Sequence, residues 1–308
     1  EFPAHEDLKK MVRLGMLDCV NNKVRKLHPF GKDVNFSKLY LDNNEITEIP
    51  HAEDGYFFGY MDVETFTCTN NKITKFPDIF NAKSIYVMGS IDFSYNLIDG
   101  FENGENFKGV NTGQLNLSNN RLKTFPGILF KKESPLYYLI LAGNGMTSIP
   151  NGSIEGKNAY LLEAIDLSYN NLTKLSDDFY AVTLPYLTGI DLSYNCFSKF
   201  PTAPLSISTL QQFHIRHQRD EYGNRCLREW PTGLYTCPSL IYFTIGSNDL
   251  RKIEDTISPN IRVFEIKDNP NITIDLTEVC DYISIGYYLL IYDKTQDIRG
   301  CDILDLEE

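Results

Sequence analysis

The sequence predicts an α/β repeat solenoid, a right-handed horseshoe whose concave side carries a parallel sheet of about eleven short strands. A pattern of apolar-x-apolar-x-x-Asn-x-apolar recurs along most of the chain. Its Asn-type positions run from Asn22 to Asn269 and follow one another about every 25 residues, within the range typical of strand-based repeats. Proline often follows the last apolar position, as in Ile49-Pro50, where a turn is favoured.

Each position of the repeat has a physical reason. In Ile165-Asp166-Leu167 the two apolar side chains point to one side of a strand and the carboxylate points to the other. The repeat Asn has both donors and an acceptor, so it can satisfy turn backbone groups that stacking would otherwise bury unpaired. One repeat cannot bury its own apolar face, so neighbouring repeats stabilise one another.

The repeat pattern divides the chain into three segments. We expect an N-terminal cap over 1–13, a repeat array over 14–275 with an insertion at about 217–226, and a C-terminal cap over 276–308. The N-terminal cap is predicted to hold a short helix through Leu8, Met11 and Val12. Gln218 stands at an Asn position where the insertion begins. Insertions of this kind often carry binding, and a tolerated surface loop is the alternative.

Composition narrows the function. The 308 residues carry a formal net charge of −12, which argues against a general nucleic-acid binder because such proteins need a basic face. No apolar run approaches the roughly 18 residues of a membrane span. The sequence has no phosphate-binding glycine loop and no nucleophile motif. We expect no metal and no cofactor, since His214 and His217 lack a third ligand at a suitable spacing.

The Leu-Ser-Tyr-Asn motifs at Leu167–Asn170 and Leu192–Asn195 identify a resemblance to the leucine-rich-repeat family that covers residues 14–275. The tail from Tyr292 to Cys301 resembles the end of secreted or surface leucine-rich-repeat proteins of Bacteroides-type bacteria. This resemblance implies an extracellular or cell-surface location and a binding role. The first residues hold no export signal or lipid anchor, so we expect the chain to be either a processed product or a piece of a longer protein.

The chain has seven cysteines. A bond between Cys280 and Cys301 would close a loop of about 20 residues at the tail and stabilise it by roughly 3 kcal/mol. Cys196 and Cys226 occupy equivalent positions in adjacent repeats, where stacking puts Cα atoms about 5 Å apart, inside the bonding window. Pairing of Cys226 with Cys237 is the alternative. The cysteines do not decide the redox compartment.

The residues between the core positions are predicted to face the concave side. Tyrosines there offer contact area at low entropic cost, and charges set specificity. We therefore predict a non-catalytic module that binds a protein or glycan partner through one concave stripe. The stripe comprises Asp92, Tyr95, Asp166, Tyr169, Asp191, Tyr194, His214, Arg216, His217, Arg219 and Tyr222. The alternative is that a solvent-facing sheet simply needs polar residues.

Three other hypotheses remain open. Asp166 and Asp191 are expected side by side, about 5 Å apart, and paired carboxylates can catalyse glycan hydrolysis. A solvated pair is favoured, because no histidine or nucleophile is evident beside them. The chain is alternatively a structural scaffold of a larger surface protein. The convex side, with Phe57, Phe58 and Tyr60, is the alternative binding surface.

Overall fold

The structure is a computed structural model that describes Phe2, Asp7 and residues 15–30, 37–50, 63–80, 87–176, 178–180, 183–253 and 257–302. The chain forms two compact units. The first unit comprises Glu1–Gly145 with Gly152–Leu162, and the second comprises Met146–Asn151 with Glu163–Glu308. The predicted N-terminal helix lies outside the described residues, as do Phe57, Phe58 and Tyr60.

The first unit is built from eight strands. They are β1 (Met16–Asp18), β2 (Lys38–Tyr40), β3 (Thr65–Thr67), β4 (Lys75–Phe76), β5 (Val87–Asp92), β6 (Gly100–Phe101), β7 (Thr112–Asn116) and β8 (Tyr138–Ile140). β4 pairs with β6, and the other six run parallel in chain order. The return segments hold 3₁₀ turns at Gly104–Asn106 and Gly127–Phe130 and the short helix α1 (Gly156–Ala159).

The second unit has the same plan. Its strands are β9 (Ala164–Asp166), β10 (Gly189–Asp191), β11 (Gln212–His214), β12 (Tyr242–Thr244), β13 (Val263–Glu265), β14 (Thr273–Asp275), β15 (Leu289–Ile291) and β16 (Asp297–Arg299). β14 pairs with β16, and the other six are parallel in chain order. The remaining elements are 3₁₀ turns at Ala203–Ser206 and Leu234–Thr236 and the helix α2 (Cys280–Ser284).

The predicted parallel-strand repeat fold is confirmed. The described residues hold twelve repeat strands, because β15 extends the array one strand beyond the last one expected. The helical part is small: α1 and α2 span four and five residues. Neither these nor any other helix of the described chain has the length and apolarity to cross a membrane.

The core lies under the apolar residue that comes just before the last residue of each repeat strand. Leu115 in the first unit and Phe213 in the second are fully buried, as are the corresponding residues of most other strands, because alternate side chains of a strand point to opposite sides. Phenylalanines fill much of this layer. Phe66 and Phe93, for example, meet edge to face with ring centroids 5.3 Å apart, a favoured aromatic geometry.

From Asn44 to Asn269 the repeat asparagines are buried, and their side chains form hydrogen bonds with the backbone. Asn195 donates to the carbonyls of Leu167 and Leu192 at 2.9 and 3.0 Å, and its oxygen accepts from the backbone N–H of Leu172 at 2.9 Å. Gln218 replaces Asn in the next repeat, where it accepts from the N–H of Phe197 at 3.1 Å. These side chains satisfy turn groups that are otherwise buried without partners.

The cysteine chemistry differs in part from expectation. Cys280 and Cys301 form a disulfide, with their Cα atoms 5.2 Å apart. The predicted bond between Cys196 and Cys226 is wrong, because both are free thiols. Cys226 Sγ instead donates to the carbonyl of Phe197 at 3.4 Å. Cys237, the alternative partner, is also free, and its Sγ is buried 3.8 Å from the carbonyls of Ile207 and Leu210.

Candidate functional site

The residue before each repeat Asn or Gln adopts a left-handed backbone conformation. At these eleven positions φ lies between 51° and 69°. The backbone N–H groups of Tyr169, Tyr194 and His217 donate to the carbonyls of Ser193, Arg216 and Gly246 at 2.9, 2.9 and 3.0 Å. Within the second unit, successive left-handed residues are therefore held one repeat apart. The eleven left-handed residues are Asn21, Asn43, Asn70, Tyr95, Asn119, Gly143, Tyr169, Tyr194, His217, Ser247 and Asp268.

In the second unit these positions carry three stacked rings, which we call the aromatic ladder: Tyr169, Tyr194 and His217. The tyrosine rings lie 4.1 Å apart and within 8° of parallel, and Tyr194 and His217 lie 4.5 Å apart at 30°. Tyr169 remains 57% exposed, while the other two are half-buried. Non-glycine residues in the left-handed region cost of order 1–3 kcal/mol each, and such strain concentrates at functional sites.

A row of polar side chains points outward from the strands beside the ladder. Strand register places Asp191 between Asp166 and His214, and His214 Nδ1 lies 2.8 Å from Thr244 Oγ1. The expectation that no histidine stands beside the aspartate pair is therefore wrong, because β11 directly follows β10 in the sheet. The complete outward row is Asp166, Asp191, His214, Thr244 and Glu265.

Partial burial shifts the protonation of this row. Burial raises the pKa of the Asp166 carboxyl, and the Asp191 charge adds to the shift, against hydrogen bonds from Ser168. Burial also lowers the pKa of His214, although Asp191 and Asp166 oppose that change. A pKa below the usual value of about 6.5 leaves the His214 imidazole mainly neutral at pH 7.

Glu265 and Arg216 form a partly buried ion pair at the end of this row. Arg216 Nε lies 3.5 Å from Glu265 Oε2, and the same oxygen accepts from the N–H of Gly246 at 3.2 Å. A Cβ on Gly246 would lie 2.1 Å from Glu265 Oε1, so only glycine leaves room for this carboxylate. Arg216 occupies the equivalent position in the repeat directly before, and Ser193 and Ser168 occupy it two and three repeats before. This break in the Ser pattern was the available sequence signal.

The insertion forms a short hairpin at the end of the aromatic ladder. Arg219 and Arg225 form an antiparallel bridge, and Asp220 Oδ1 accepts from the N–H groups of Tyr222 and Asn224 at 2.9 and 2.8 Å. These bonds order the turn, and Tyr222 at its tip is 82% exposed.

Two arginines tie the hairpin to the next repeats. Arg219 Nη1 donates to the carbonyl of Ser247 at 2.5 Å, and Arg225 Nη2 pairs with Asp268 Oδ1 at 2.5 Å. Burial lowers the pKa of His217, and Arg219 lowers it further. The two arginines thus hold the base of the hairpin against the next repeats and place positive charge beside His217.

Nine of the eleven predicted residues lie in the second unit, where the structure gathers them on the ladder, the outward row and the hairpin. Asp92 and Tyr95 belong to the first unit. There Asp92 Oδ2 accepts from Asn116 Nδ2 at 2.9 Å, and Tyr95 is 60% exposed.

Exposed apolar residues on the same side of the second unit were missed by sequence analysis. Tyr242 and Leu289 occupy the first position of β12 and β15, on the outward side, and are 43% and 56% exposed. Ile291 ends β15 in register with Glu265. The available signal was only the apolar run Leu289-Leu290-Ile291, which lies within the segment predicted as the C-terminal cap.

The structure offers no evident metal centre: in the described ranges no three His, Cys, Asp or Glu side chains are grouped to hold an ion. The fold and the surface define a leucine-rich-repeat protein with an aromatic and charged outward face.

Known proteins agree with this class. The chain is 52% identical to a leucine-rich repeat protein from Bacteroides thetaiotaomicron, with a TM-score of 0.90 over 99% of this chain and 37% of that one. A leucine-rich repeat protein from Bacteroides eggerthii is 50% identical, with a TM-score of 0.88 over 99% of this chain and 52% of that one. The predicted resemblance to Bacteroides proteins is confirmed.

More distant relatives are animal proteins. A transforming growth factor beta activator of Danio rerio is 27% identical over 240 residues, which is 68% of this chain and 35% of that protein. The chain thus spans only about a third to a half of the length of the proteins named here. No protein-family model matches the chain.

Proposed function

We propose that the chain is a recognition module that binds a protein partner through the second unit, on the side that carries the outward row and the aromatic ladder. The observation that carries this proposal is the ladder itself: three rings kept at strained backbone positions and left accessible to solvent. The fold alone does not require them, since Asn occupies the same position in several repeats. Ring stacking offsets only part of the free-energy cost of these left-handed backbone conformations. Such a cost is retained most readily where the residues serve a ligand.

The chemistry of the surface favours a protein over a glycan. Interfaces between proteins are rich in Tyr and Arg around an apolar centre, and the second unit presents Tyr169, Arg216, Tyr242 and Leu289 on one side. Sugars stack on open ring faces, whereas both faces of Tyr194 are covered by its neighbours. Mainly ring edges and hydroxyls are therefore available to a ligand.

An extracellular or cell-surface location is part of the proposal. The Cys280–Cys301 disulfide is stable in an oxidising compartment and rare in the cytosol. The animal relative named as an activator of a growth factor acts on another protein, which supports a protein as the class of partner.

The test is a double substitution, Tyr169→Ala with Tyr194→Ala, measured against a partner isolated by crosslinking to the intact chain. The matched control is Tyr180→Ala with Tyr186→Ala, two exposed tyrosines of the return segments. We expect the ladder variant to lose affinity at least about tenfold, because a central aromatic anchor is typically worth more than 1 kcal/mol, and the control to bind normally. Equal affinity of both variants, with circular dichroism showing intact folds, would contradict the proposal.

Catalysis is the second candidate, favoured by the alignment of Asp166, Asp191 and His214 on neighbouring strands. A carboxyl whose pKa is raised by burial, such as that of Asp166, can act as an acid or base beside a second carboxylate and an imidazole. The discriminating experiment compares the wild type with Asp166→Asn/Asp191→Asn on a panel of oligosaccharides. Hydrolysis that disappears in the variant supports an enzyme. Absence of hydrolysis together with absence of any ligand supports a scaffold role instead.

A further inference from the structure

The strand β15 leaves the parallel sheet of the second unit with an open edge. It pairs with β13 on one side, and among the described residues no strand pairs with its other side. The N–H of Leu289 donates to the carbonyl of Arg262 at 2.7 Å, and the carbonyl of Ile291 accepts from the N–H of Ile266 at 2.9 Å. Because the backbone groups of successive strand residues point to alternate sides, the N–H and C=O of Leu290 point away from β13.

The side chains at this edge are apolar and exposed. Leu289 is 56% exposed and Ile291 is 37% exposed, both on the outward side of the sheet. Val263 and Tyr242 lie in register with Leu289 on the next two strands, so the apolar surface is three strands wide. Terminal repeats of solenoids usually carry a polar outer face, and edge strands are usually protected by lysine or proline. The segment Tyr287–Tyr292 contains neither, and it has no charged residue.

We infer that the edge of β15 is an interface with a second copy of this chain, in which the two β15 strands pair antiparallel about a two-fold axis at Leu290. In an antiparallel pair, residues directly opposite each other can exchange both backbone hydrogen bonds. Both groups of Leu290 point outward, so each copy donates its N–H to the Leu290 carbonyl of the other. The same edge serves both copies, as a closed two-fold dimer requires. The inference is independent of the proposed function.

This register matches the exposed side chains of one copy to those of the other. With Leu290 on the axis, Leu289 lies opposite Ile291 of the second copy, and Ile291 lies opposite its Leu289. Side chains at directly opposite positions have Cβ atoms about 4.5–5.5 Å apart, and apolar pairs there stabilise a sheet. Each outward row then continues from Leu289 to Val263 and Tyr242 of the same copy. Pairing therefore buries apolar surface that is open to solvent in the single chain, which favours association.

The distribution of charge also suits a second copy at this edge. Two molecules that each carry a net charge of −12 repel one another, so contact between them needs a surface without unpaired carboxylates. Glu265 lies in register with Ile291 on the neighbouring strand, and Arg216 Nε lies 3.5 Å from its carboxylate. Asp293, two residues beyond the strand, lies 4.0 Å from Lys267 Nζ. The carboxylates beside the edge are thus paired with cations of the same chain.

The edge is held in position before a second copy arrives. The Cys280–Cys301 disulfide closes the segment that contains β15. Just before the strand, the guanidinium carbon of Arg262 lies 3.6 Å from the centre of the Tyr287 ring, and Arg262 Nη1 donates to the carbonyl of Asn260 at 3.0 Å. Pairing therefore has little conformational freedom to remove, and such preorganisation raises affinity.

Sedimentation velocity of the intact chain, at concentrations from about 1 µM to 1 mM, measures self-association. We expect dimers to form within this range, with the weak affinity typical of small interfaces. Leu289→Lys/Ile291→Lys places lysine opposite lysine at both outward positions. It should weaken the dimer at least about tenfold, because like charges directly opposite each other destabilise a strand pair. Since the change makes the net charge less negative, a loss of association cannot come from overall repulsion.

Two matched variants separate the register from other causes. Leu289→Lys/Ile291→Glu places lysine opposite glutamate at both positions, so it should dimerise at least about tenfold more tightly than Leu289→Lys/Ile291→Lys. Tyr180→Lys/Tyr186→Lys adds the same charge at two exposed tyrosines of the second unit and should dimerise like the wild type. Circular dichroism checks that each variant is folded.

Several outcomes overturn the inference. One is a chain that stays monomeric over the whole concentration range. Another is a dimer that Leu289→Lys/Ile291→Lys leaves intact, or that Leu289→Lys/Ile291→Glu does not restore. A monomeric chain that loses a captured protein in the double-lysine variant would show that the edge binds a strand of another protein instead. In each case a partner that still depends on Tyr169 and Tyr194 leaves the proposed function standing.

Discussion

The same turn position is used in two different ways in the two units. In the first unit Asn21, Asn43 and Asn70 form a chain of side-chain hydrogen bonds, each 2.8 Å long. In the second unit the aromatic ladder occupies that position. The backbone is left-handed in both, and asparagine tolerates this conformation better than tyrosine does. The fold therefore requires at this position only a residue that tolerates the left-handed backbone. The aromatic rings of the second unit are not needed for that conformation.

The largest expected effect on stability comes from removing a buried repeat asparagine, and it tests whether these asparagines have the same role in both units. Asn44→Ala and Asn195→Ala each remove buried hydrogen bonds to backbone groups. Each should lower the free energy of unfolding by about 3 kcal/mol or more, because buried groups left unsatisfied cost about 1–3 kcal/mol apiece. Urea denaturation measures the change, and the exposed Ser198→Ala serves as the control. A large effect in only one of the two variants would mean that the buried asparagines are not equivalent.

Exchanging Asn and Tyr at the left-handed position should change the free energy of unfolding less, and by different amounts in the two directions. Asn43→Tyr adds backbone strain and removes two hydrogen bonds, so we expect a loss of about 1–2 kcal/mol. Tyr194→Asn relieves strain but loses stacking worth about 0.5–1.5 kcal/mol per ring pair, so its net change should stay below about 1 kcal/mol. Thermal unfolding measures both. A loss above about 2 kcal/mol in Tyr194→Asn would make the ladder structural.

The smallest effect concerns pH. The pKa of His217 is lowered by burial and by Arg219, with Arg225 and Arg216 adding and Asp268 opposing. The unfolded chain therefore binds more protons below about pH 6.5 than the folded chain does. Stability should fall as pH drops from about 7.5 towards 5.5, through this unfolded value.

His217→Asn should reduce that slope, and His214, whose pKa is also lowered, should account for much of the remainder. The melting temperature at several pH values gives the slope. Asp166 and Glu265, whose pKa values are raised by burial, act in the opposite direction, because their protonation at falling pH stabilises the fold. An unchanged slope in His217→Asn would show that this ring contributes no linkage.

The sequence predicted the strands because alternation of apolar and polar residues, as in Ile165-Asp166-Leu167, is typical of a strand with one buried side. It also predicted that Asn195 is buried and bonds to the backbone. It did not reveal the left-handed turn, although Asn43 and Gly143 at that position were the signal, since both residue types favour it. The stacking of Tyr169 on Tyr194 follows from that turn. Contacts of Glu265 with Gly246 and Arg216 depend on side-chain reach, which a repeat pattern does not encode.

The chain also had no sequence feature that distinguished a closing cap from another strand. Leu289–Ile291 is apolar throughout, a pattern that suits a buried cap as well as an exposed strand. The structure pairs this segment with Val263–Glu265 as a parallel strand. The bounds of the caps and of the repeat array stay predictions.

Gln218 has a consequence for how this surface can change. One extra methylene lets its amide reach the carbonyl of Leu192 at 2.9 Å and the N–H of Phe197 at 3.1 Å, while the chain leaves the repeat immediately afterwards. The register of the following strand is kept, since His214 still pairs with Thr244. We therefore expect other turn sequences to be accepted at residues 220–224, between the two arginines that hold the hairpin against the next repeats, while the strand register is kept.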